Sequence, residues 1–157
     1  MRIGFGFDVH QLIEGRDFWL GGIKIPADKG ILGHSDADVL LHAICDAILG
    51  SLALGDIGKH FPDTDATFKG IDSKILLSKV IELISNKGYK IGNIDTTVVC
   101  QQPKIMPYAN VMRTCIAQIC NITIDDISIK ATTNETMGFI GREEGIVAYA
   151  VVLLLKV

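Results

Sequence analysis

The segment GHSDADVLLHAICDAILG, residues 33–50, runs from a polar turn into an apolar stretch with helical spacing. Its apolar side chains recur every three or four residues, at Val39, Leu40, Ala43, Ile44, Ala47 and Ile48. This is the pattern of a helix that packs one face against a core. Ser35 or Asp36 can cap the start of this helix, and Gly50 or Gly55 can end it. The segment therefore predicts a central helix with a polar entrance.

The flanking sequence predicts strands and two more helices. Residues 1–12 and 18–26 are predicted as strands, the second in pieces around the turn at Gly21 and Gly22. Residues 55–70 are polar and predict a long loop, a length often used for lids over functional sites. The other predicted elements are helices over 73–89 and 108–122 and strands over 93–102, 127–133 and 146–157. The order favours an α+β fold in one domain, residues 1–157, with helices packed on one face of a mixed sheet.

The composition argues against a nucleic-acid-binding protein and against a membrane-spanning protein. The 157 residues are 48% hydrophobic and 21% charged, as expected for one packed domain, and the net charge of −3 argues against binding nucleic acid through a basic surface. No apolar run is long enough for a membrane span, and no leader or plastid transit peptide is recognisable, so a cytoplasmic protein is expected. The four cysteines form no C-x-x-C pair and are expected to be reduced and mostly buried.

The first predicted strand and the first predicted helix together offer a candidate metal site. In a strand, Asp8 and His10 point to the same side, because side chains alternate. Together with His42 they make an N, N, O ligand set that suits zinc with one position open. Asp46, four residues after His42, can accept a hydrogen bond from the other ring nitrogen of His42. A buried Asp–His pair without a metal is the alternative.

Two polar segments suggest anion or cation binding. His34 and Ser35, with Asp36 and Asp38, precede a helix start, where either a phosphate or simple capping by these side chains is possible. The stretch KATTNETMGFIGREEG, residues 130–145, offers threonine hydroxyls to a phosphate and Glu135 to a hard cation such as Mg²⁺. A turn with Asn134 in a permissive conformation is the alternative there.

Acidic residues in the predicted loop have two interpretations. Asp56, Asp63 and Asp65 can bind hydroxyl groups of a sugar or polyol, or they can belong to a solvated surface loop.

Taken together, these stretches resemble the 2-C-methyl-D-erythritol 2,4-cyclodiphosphate synthases of the non-mevalonate isoprenoid pathway. The similarity spans essentially the whole chain and lies in RIGFGFDVH, GGIKIP, GHSDADVLLHAICDAILG, LGDIGKHFPDTD, FKGIDS, KGYKIGNIDTTVVCQQPK and IKATTNETMGFIGREEGI. It implies that a 2-phosphate attacks the β-phosphorus of the same diphosphocytidyl substrate, releasing CMP. It also implies a homotrimer with active sites between subunits.

The resemblance assigns roles to single residues. Asp8, His10 and His42 would hold zinc, and Glu135 would carry Mg²⁺ or Mn²⁺ bridging substrate phosphates. His34 and Thr133 would stabilise charge in the transition state. Residues implied at the ribose and erythritol are Ser35, Asp56, Ile57, Gly58, Phe61, Pro62, Asp63, Thr64 and Asp65. Those implied at the cytosine pocket are Cys100, Gln101, Gln102, Pro103, Lys104, Ile105, Met106, Ala131 and Thr132.

A central cavity is a further implication. Phe139 and Arg142, with Phe5, Phe7 and Glu144, are candidates to line a channel that holds an isoprenoid diphosphate. Ordinary trimer packing with one salt bridge is the alternative. Two other functions stay open from sequence: a zinc phosphohydrolase, which would give open-chain phosphates, and a non-catalytic trimer that binds cytidine nucleotides.

Overall fold

The computed structural model describes residues 1–62, Thr64 and residues 70–157. A five-stranded sheet has the order β4-β1-β7-β5-β6, and β2 and β3 form a separate hairpin. The strands are β1 (Arg2–Glu14), β2 (Phe18–Leu20), β3 (Ile23–Ile25), β4 (Lys29–Leu32), β5 (Tyr89–Val99), β6 (Ile127–Thr132) and β7 (Gly145–Lys156). The helices are α1 (Val39–Ser51), α2 (Ile57–His60), α3 (Ser73–Asn86), α4 (Ala109–Cys120) and α5 (Gly138–Gly141), with short 3₁₀ turns at Met106–Tyr108 and Ile124–Asp126.

The sheet is mixed, as the sequence predicted. β1 pairs antiparallel with β4 and β7, and β5 pairs antiparallel with β7 but parallel with β6. Alternate residues of β7, from Ala148 through Leu154, are buried on the side where α1 packs, while Tyr149 and Val151 are exposed. The predicted α+β arrangement, with helices on one face of the sheet, is therefore confirmed.

Helix α1 lies directly on β1 because β1 has glycines on the covered face. A Cβ built on Gly4 would fall 1.7 Å from the carbonyl oxygen of Ala47, and one on Gly6 would fall 1.9 Å from that of Ala43. No side chain fits in such a space, so the helix and strand backbones are in contact. Farther along the same face, Asp8 and His10 come next in the strand.

The start of α1 differs from the prediction. Its N-cap is Asp38, whose carboxylate accepts the Leu41 N–H, and not Ser35 or Asp36. Asp38 is fully buried and also accepts the N–H groups of Gly21 and Gly22 at 2.9 and 2.7 Å, which ties the β2–β3 hairpin to the helix. The start of α1 is therefore capped by a side chain of the protein itself, Asp38.

Other boundaries also differ from the sequence-based ones. Strand β4 was not predicted, because its four residues are too short to show a period. The segment predicted as a loop from Gly55 begins with helix α2, capped by Asp56. Helix α1 ends at Ser51, one residue beyond Gly50, so Gly50 lies within its last turn.

One face of the large sheet is apolar, and no other element among the described residues covers it. We call it the open sheet face, and its exposed side chains are Ile3, Phe5, Phe7, Val9, Tyr149 and Val151. The Phe5 side chain is 62% exposed, and the ring of Phe7 lies 5.4 Å from that of Tyr149 across the β1–β7 pair. A contiguous apolar surface of this kind is typical of an interface. Among the described residues, no helix is long and apolar enough to cross a membrane.

We expect Gly6→Ala to lower the free energy of unfolding by about 3 kcal/mol or more, because the new methyl group meets helix backbone that has no room to move. Chemical denaturation measures the loss. Gly50→Ala is the matched control, since a Cβ there is 4.0 Å from its nearest described neighbour outside the helix, the Phe5 carbonyl oxygen. It should be neutral or stabilising by up to about 1 kcal/mol. Equal stability of the two variants would contradict the close-packing argument.

Candidate metal and substrate site

Three side chains from two elements converge on one point. The Oδ2 atom of Asp8 lies 3.0 Å from Nε2 of His10 and 3.0 Å from Nδ1 of His42, and the two nitrogens are 3.3 Å apart. Asp8 and His10 come from β1, and His42 comes from the first turn of α1. The close contact between these two elements thus brings the three sequence-predicted ligands together.

This triangle has the dimensions of a metal site. Ligands at the corners of a tetrahedron around zinc, with bonds of about 2.0–2.1 Å, lie about 3.3 Å from one another. The three atoms match that spacing, and in the described residues they form a group able to hold a metal ion. Two imidazoles and a carboxylate leave a fourth position for a water or a substrate oxygen. The residues therefore fit a divalent metal site.

The electrostatics of the triad favour an ionised carboxylate. Burial raises the pKa of Asp8, but hydrogen bonds from His10 and His42 outweigh burial and lower that pKa to about 2. Burial lowers the pKa of His10, but the hydrogen bond and charge of Asp8 outweigh burial and raise it. Asp8 is thus a negative ligand.

Each histidine is oriented through its other ring nitrogen. His10 Nδ1 donates to the carbonyl oxygen of Leu32, in β4, at 2.8 Å. His42 Nε2 lies 2.9 Å from Oγ of Ser73 and 3.2 Å from Oγ of Ser35. The predicted partner Asp46 is wrong, because its carboxylate accepts the N–H of Ile57 at 2.7 Å. The Asp46 side chain contacts the start of α2, whereas the side chain of Ser73, at the start of α3, contacts His42.

A cavity of about 200 Å³ opens onto the triad. Besides the triad it is lined by His34, Ser35, Ile57, Gly58, Phe61, Ile71 and Leu76. Of the residues implied at ribose and erythritol, the structure therefore places four here: Ser35, Ile57, Gly58 and Phe61. Asp56 lies beside them as the cap of α2, while Pro62 and Thr64 are exposed. Asp63 and Asp65 lie outside the described residues. Ser73, Ile71 and Leu76 were missed by sequence reasoning, because no ligand-type pattern marks them.

Seven of the nine residues implied at cytosine line a separate cavity of about 140 Å³, which we call the cytosine cavity after that implied role. It is lined by Cys100, Pro103, Lys104, Ile105, Met106, Ala131, Thr132 and Thr133. Burial raises the pKa of Cys100 to about 12, and its thiol donates to the carbonyl oxygen of Gln102, so this cysteine is neutral. Gln101 and Gln102 do not line this cavity; Gln101 instead accepts the Thr136 N–H, and Gln102 borders a larger groove.

Glu135 stands in a turn of unusual backbone geometry. The φ angles of Glu135 and Thr136 are 51° and 61°, so the left-handed residues of this turn are these two. Asn134, to which the alternative interpretation gave a permissive conformation, does not have a positive φ. Asn134 instead fixes the turn by donating to the carbonyl oxygen of Met137 at 2.8 Å. Thr133 Oγ1 donates to Glu135 Oε1 at 3.2 Å, so both oxygens face the same exposed region. Non-glycine residues in this region of φ are concentrated at functional sites.

Among the residues that the structure describes, the two cavities of one chain share no lining residue. Thr133 belongs with the cytosine cavity and His34 with the metal cavity, so the two predicted charge-stabilising residues are not brought together by one chain. Phe139 and Arg142 line neither cavity; Arg142 forms a two-point ion pair with Glu144 at 3.0 Å, and both are exposed. All four cysteines are free, three of them buried, as predicted.

Comparison with known proteins identifies relatives over the full length. The chain is 59% identical over 156 residues to the 2-C-methyl-D-erythritol 2,4-cyclodiphosphate synthase of Bacteroides thetaiotaomicron, covering 99% of this chain and 98% of that protein. A solved synthase structure bound to CDP superimposes with a TM-score of 0.91 at 35% identity, covering 98% of this chain and 100% of that one.

A bifunctional IspDF from Campylobacter jejuni superimposes with a TM-score of 0.95 at 41% identity; it covers 99% of this chain, which spans 42% of that longer protein. The model of the YgbB family matches residues 1–155. The chain therefore belongs to the YgbB family, as a member of its 2-C-methyl-D-erythritol 2,4-cyclodiphosphate synthases.

Proposed function

We propose that this enzyme converts 4-diphosphocytidyl-2-C-methyl-D-erythritol 2-phosphate to the 2,4-cyclodiphosphate and CMP. An oxygen of the 2-phosphate forms a bond to the β-phosphorus, and the bond from that phosphorus to the bridging oxygen breaks, so CMP leaves with that oxygen. The observation that carries the proposal is the Asp8, His10 and His42 triad, with ligand atoms 3.0–3.3 Å apart beside a cavity. Proteins with the same sequence pattern carry the synthase name.

We assign zinc to the triad and Mg²⁺ or Mn²⁺ to Glu135. Bound divalent cations would neutralise phosphate charge, which is the main barrier when two anionic groups approach. Asp8 provides the one negative ligand, and His10 and His42 provide neutral nitrogens. The carboxylate of Glu135 and the hydroxyl of Thr133 are hard oxygen donors on an exposed turn, which suits Mg²⁺ with substrate oxygens.

The chain's own residues would position the substrate. His34 and Ser35 line the cavity at the triad and can donate hydrogen bonds to phosphate oxygens. The apolar wall of Ile57, Phe61 and Leu76 can contact the carbon skeleton of the erythritol. No protein nucleophile is needed, because the attacking phosphate is already ionised. Fixing both phosphates in one geometry lowers the barrier of an intramolecular reaction.

A homotrimer would complete the site. In the described part of one chain, the metal cavity and the cytosine cavity share no residue, and a diphosphocytidyl substrate must reach both. The open sheet face offers an apolar surface through which three copies can pack. The CDP bound in a similar solved structure supports a cytidine diphosphate ligand. Phe139 and Arg142 would then face a shared centre able to take an isoprenoid diphosphate.

A phosphorus NMR time course with the diphosphocytidyl substrate and Mg²⁺ tests the reaction. We expect two coupled diphosphate resonances of a cyclic product to appear together with CMP. His42→Ala should lose bound zinc and at least about 10²-fold in kcat/KM, since the metal supplies several kcal/mol of charge stabilisation. His60→Ala is the matched control, because His60 lies outside the triad and contacts the Leu54 carbonyl oxygen.

The same spectra separate the alternatives. Open-chain phosphates with CMP would make the protein a hydrolase. An unchanged substrate spectrum from a zinc-loaded protein would make it a binding module. Full zinc content and turnover in His42→Ala would overturn the ligand assignment.

Zinc affinity should fall as the pH falls. The folded-state pKa of His10 is raised, so a proton competes with the metal at that nitrogen below this pKa. The apparent dissociation constant should increase by about tenfold per pH unit for each proton displaced. Asp8, with a pKa of about 2, stays ionised and adds nothing to this dependence near neutrality. Competition with a chelator at pH values from about 7.5 to about 5.5 measures the zinc dissociation constant. A dissociation constant that does not change with pH would contradict the prediction.

The assembly is tested by light scattering on the purified chain. Three copies of a 17.0 kDa chain should elute as one species of about 51 kDa. Val151→Asp places a charge on the open sheet face and should dissociate this species. Val111→Asp, the same change at an exposed position of α4, should leave the mass unchanged. A monomeric wild-type protein with full activity would refute the trimer.

A further inference from the structure

We propose that Asp36 and Ser73 act together as positioning residues that keep the proton of His42 on Nε2, so that Nδ1 is free to bind the metal. Ser73 is the first residue of α3, and it is fully buried. Its Oγ lies 2.9 Å from Nε2 of His42. The same hydroxyl donates to Oδ1 of Asp36, and the Ser73 N–H donates to Oδ2 at 2.9 Å.

Counting protons fixes the direction of each hydrogen bond. A serine hydroxyl has one proton to donate, and an ionised carboxylate only accepts. Because the Ser73 proton points to Asp36, Ser73 can only accept from His42. Without a metal, the nearby Asp8 carboxylate can accept a hydrogen bond from Nδ1 of His42. A neutral imidazole has one N–H, so when a cation takes the place of that proton the N–H must be on Nε2, and the lone pair of Nδ1 then faces the position between Asp8 and His10. Those are the atoms of the metal triangle.

His42 needs a second residue to fix the position of its proton, whereas His10 does not. The partner of His10 Nδ1 is the carbonyl oxygen of Leu32, which can only accept, so it fixes the proton of His10 by itself. The partner of His42 is a hydroxyl, which can donate or accept. Without Asp36, Ser73 could donate to Nε2 and favour the tautomer with the proton on Nδ1, where it would compete with the metal. Asp36 removes this ambiguity for Ser73, which is the nearer of the two hydroxyls at Nε2.

The position of Asp36 is fixed by contacts independent of a metal. Its N–H donates to the Ile71 carbonyl oxygen at 3.1 Å, and Oδ1 also accepts the Asp38 N–H at 3.2 Å. The N-terminal end of α3 favours a negative charge there. Ser35 is a second neighbour of His42 Nε2, but it is farther away, at 3.2 Å, and it accepts the Ala37 N–H.

The inference rests on the zinc ligand set of the proposed function, but its readout is metal affinity. Zinc dissociation constants from competition with a chromophoric chelator would be compared for the wild-type chain, Asp36→Ala, Ser73→Ala and the double variant. Asp36→Ala and Ser73→Ala should each weaken zinc binding by about 10- to 100-fold, as is usual for partners of metal-bound histidines. The double variant should be no weaker than Ser73→Ala, since Asp36 acts through Ser73.

Asp72→Ala is the matched control. Asp72 is the N-cap of α3 and accepts the Lys74 N–H at 2.8 Å, so its loss weakens the same helix end without touching His42. Its zinc affinity should stay within about twofold of wild type. At saturating cobalt(II) the visible spectrum of Asp36→Ala should match wild type, because the ligand set is unchanged.

Several outcomes would overturn the proposal. They are wild-type affinity in Asp36→Ala, an equal loss in Asp72→Ala, additive losses in the double variant, or a changed cobalt spectrum that shows His42 off the metal. Should Asp36→Ala fail to fold, Ser73→Ala decides alone, because it keeps the backbone bond to Asp36 and removes only the hydroxyl. A wild-type protein that binds zinc through the triad but makes no cyclic product would refute the proposed function and leave this inference standing.

Discussion

The backbone contact between β1 and α1 is the constraint on which the rest of the molecule depends. Gly4 and Gly6 allow the helix to lie where a single methyl group would overlap the carbonyl oxygens of Ala47 and Ala43. Because packed elements do not deform continuously, the rotation and height of α1 on the strand are fixed. The same contact fixes the distance from His42 to Asp8 and His10, so the packing of the core and the geometry of the metal site have one origin.

The site is supported from three directions around that contact. Strand β4 supplies the carbonyl oxygen that orients His10, and the start of α3 supplies the hydroxyl that orients His42. The buried carboxylate of Asp38 accepts hydrogen bonds from one N–H of α1 and two N–H groups of the β2–β3 hairpin, and so holds the start of α1 against the hairpin. A metal site whose ligands are already oriented loses less entropy on binding, which is how the surrounding shell raises affinity.

The division of the candidate site into two cavities also has a structural cause. The metal cavity lies at the β1–α1 end of the helical face, while the cytosine cavity and Glu135 lie at the ends of β5 and β6. The open sheet face is the opposite side of β1 and β7, which is apolar and exposed in the described part of the chain. In the proposed trimer, neighbouring copies would cover this face and bring the two cavities together.

The sequence by itself determined the class of fold and the three side chains of the candidate metal site. Helical and alternating patterns are local properties, so α1, α3, α4 and the long strands were predictable, as was the pairing of Asp8 with His10 on one side of a strand. Tertiary structure alone decided the rest. The cap at Asp38, the short strand β4, and the replacement of Asp46 by Ser73 as partner of His42 all depend on segments far apart in the chain. Spacing along one helix cannot reveal which neighbour arrives from another element, because that choice is made by packing.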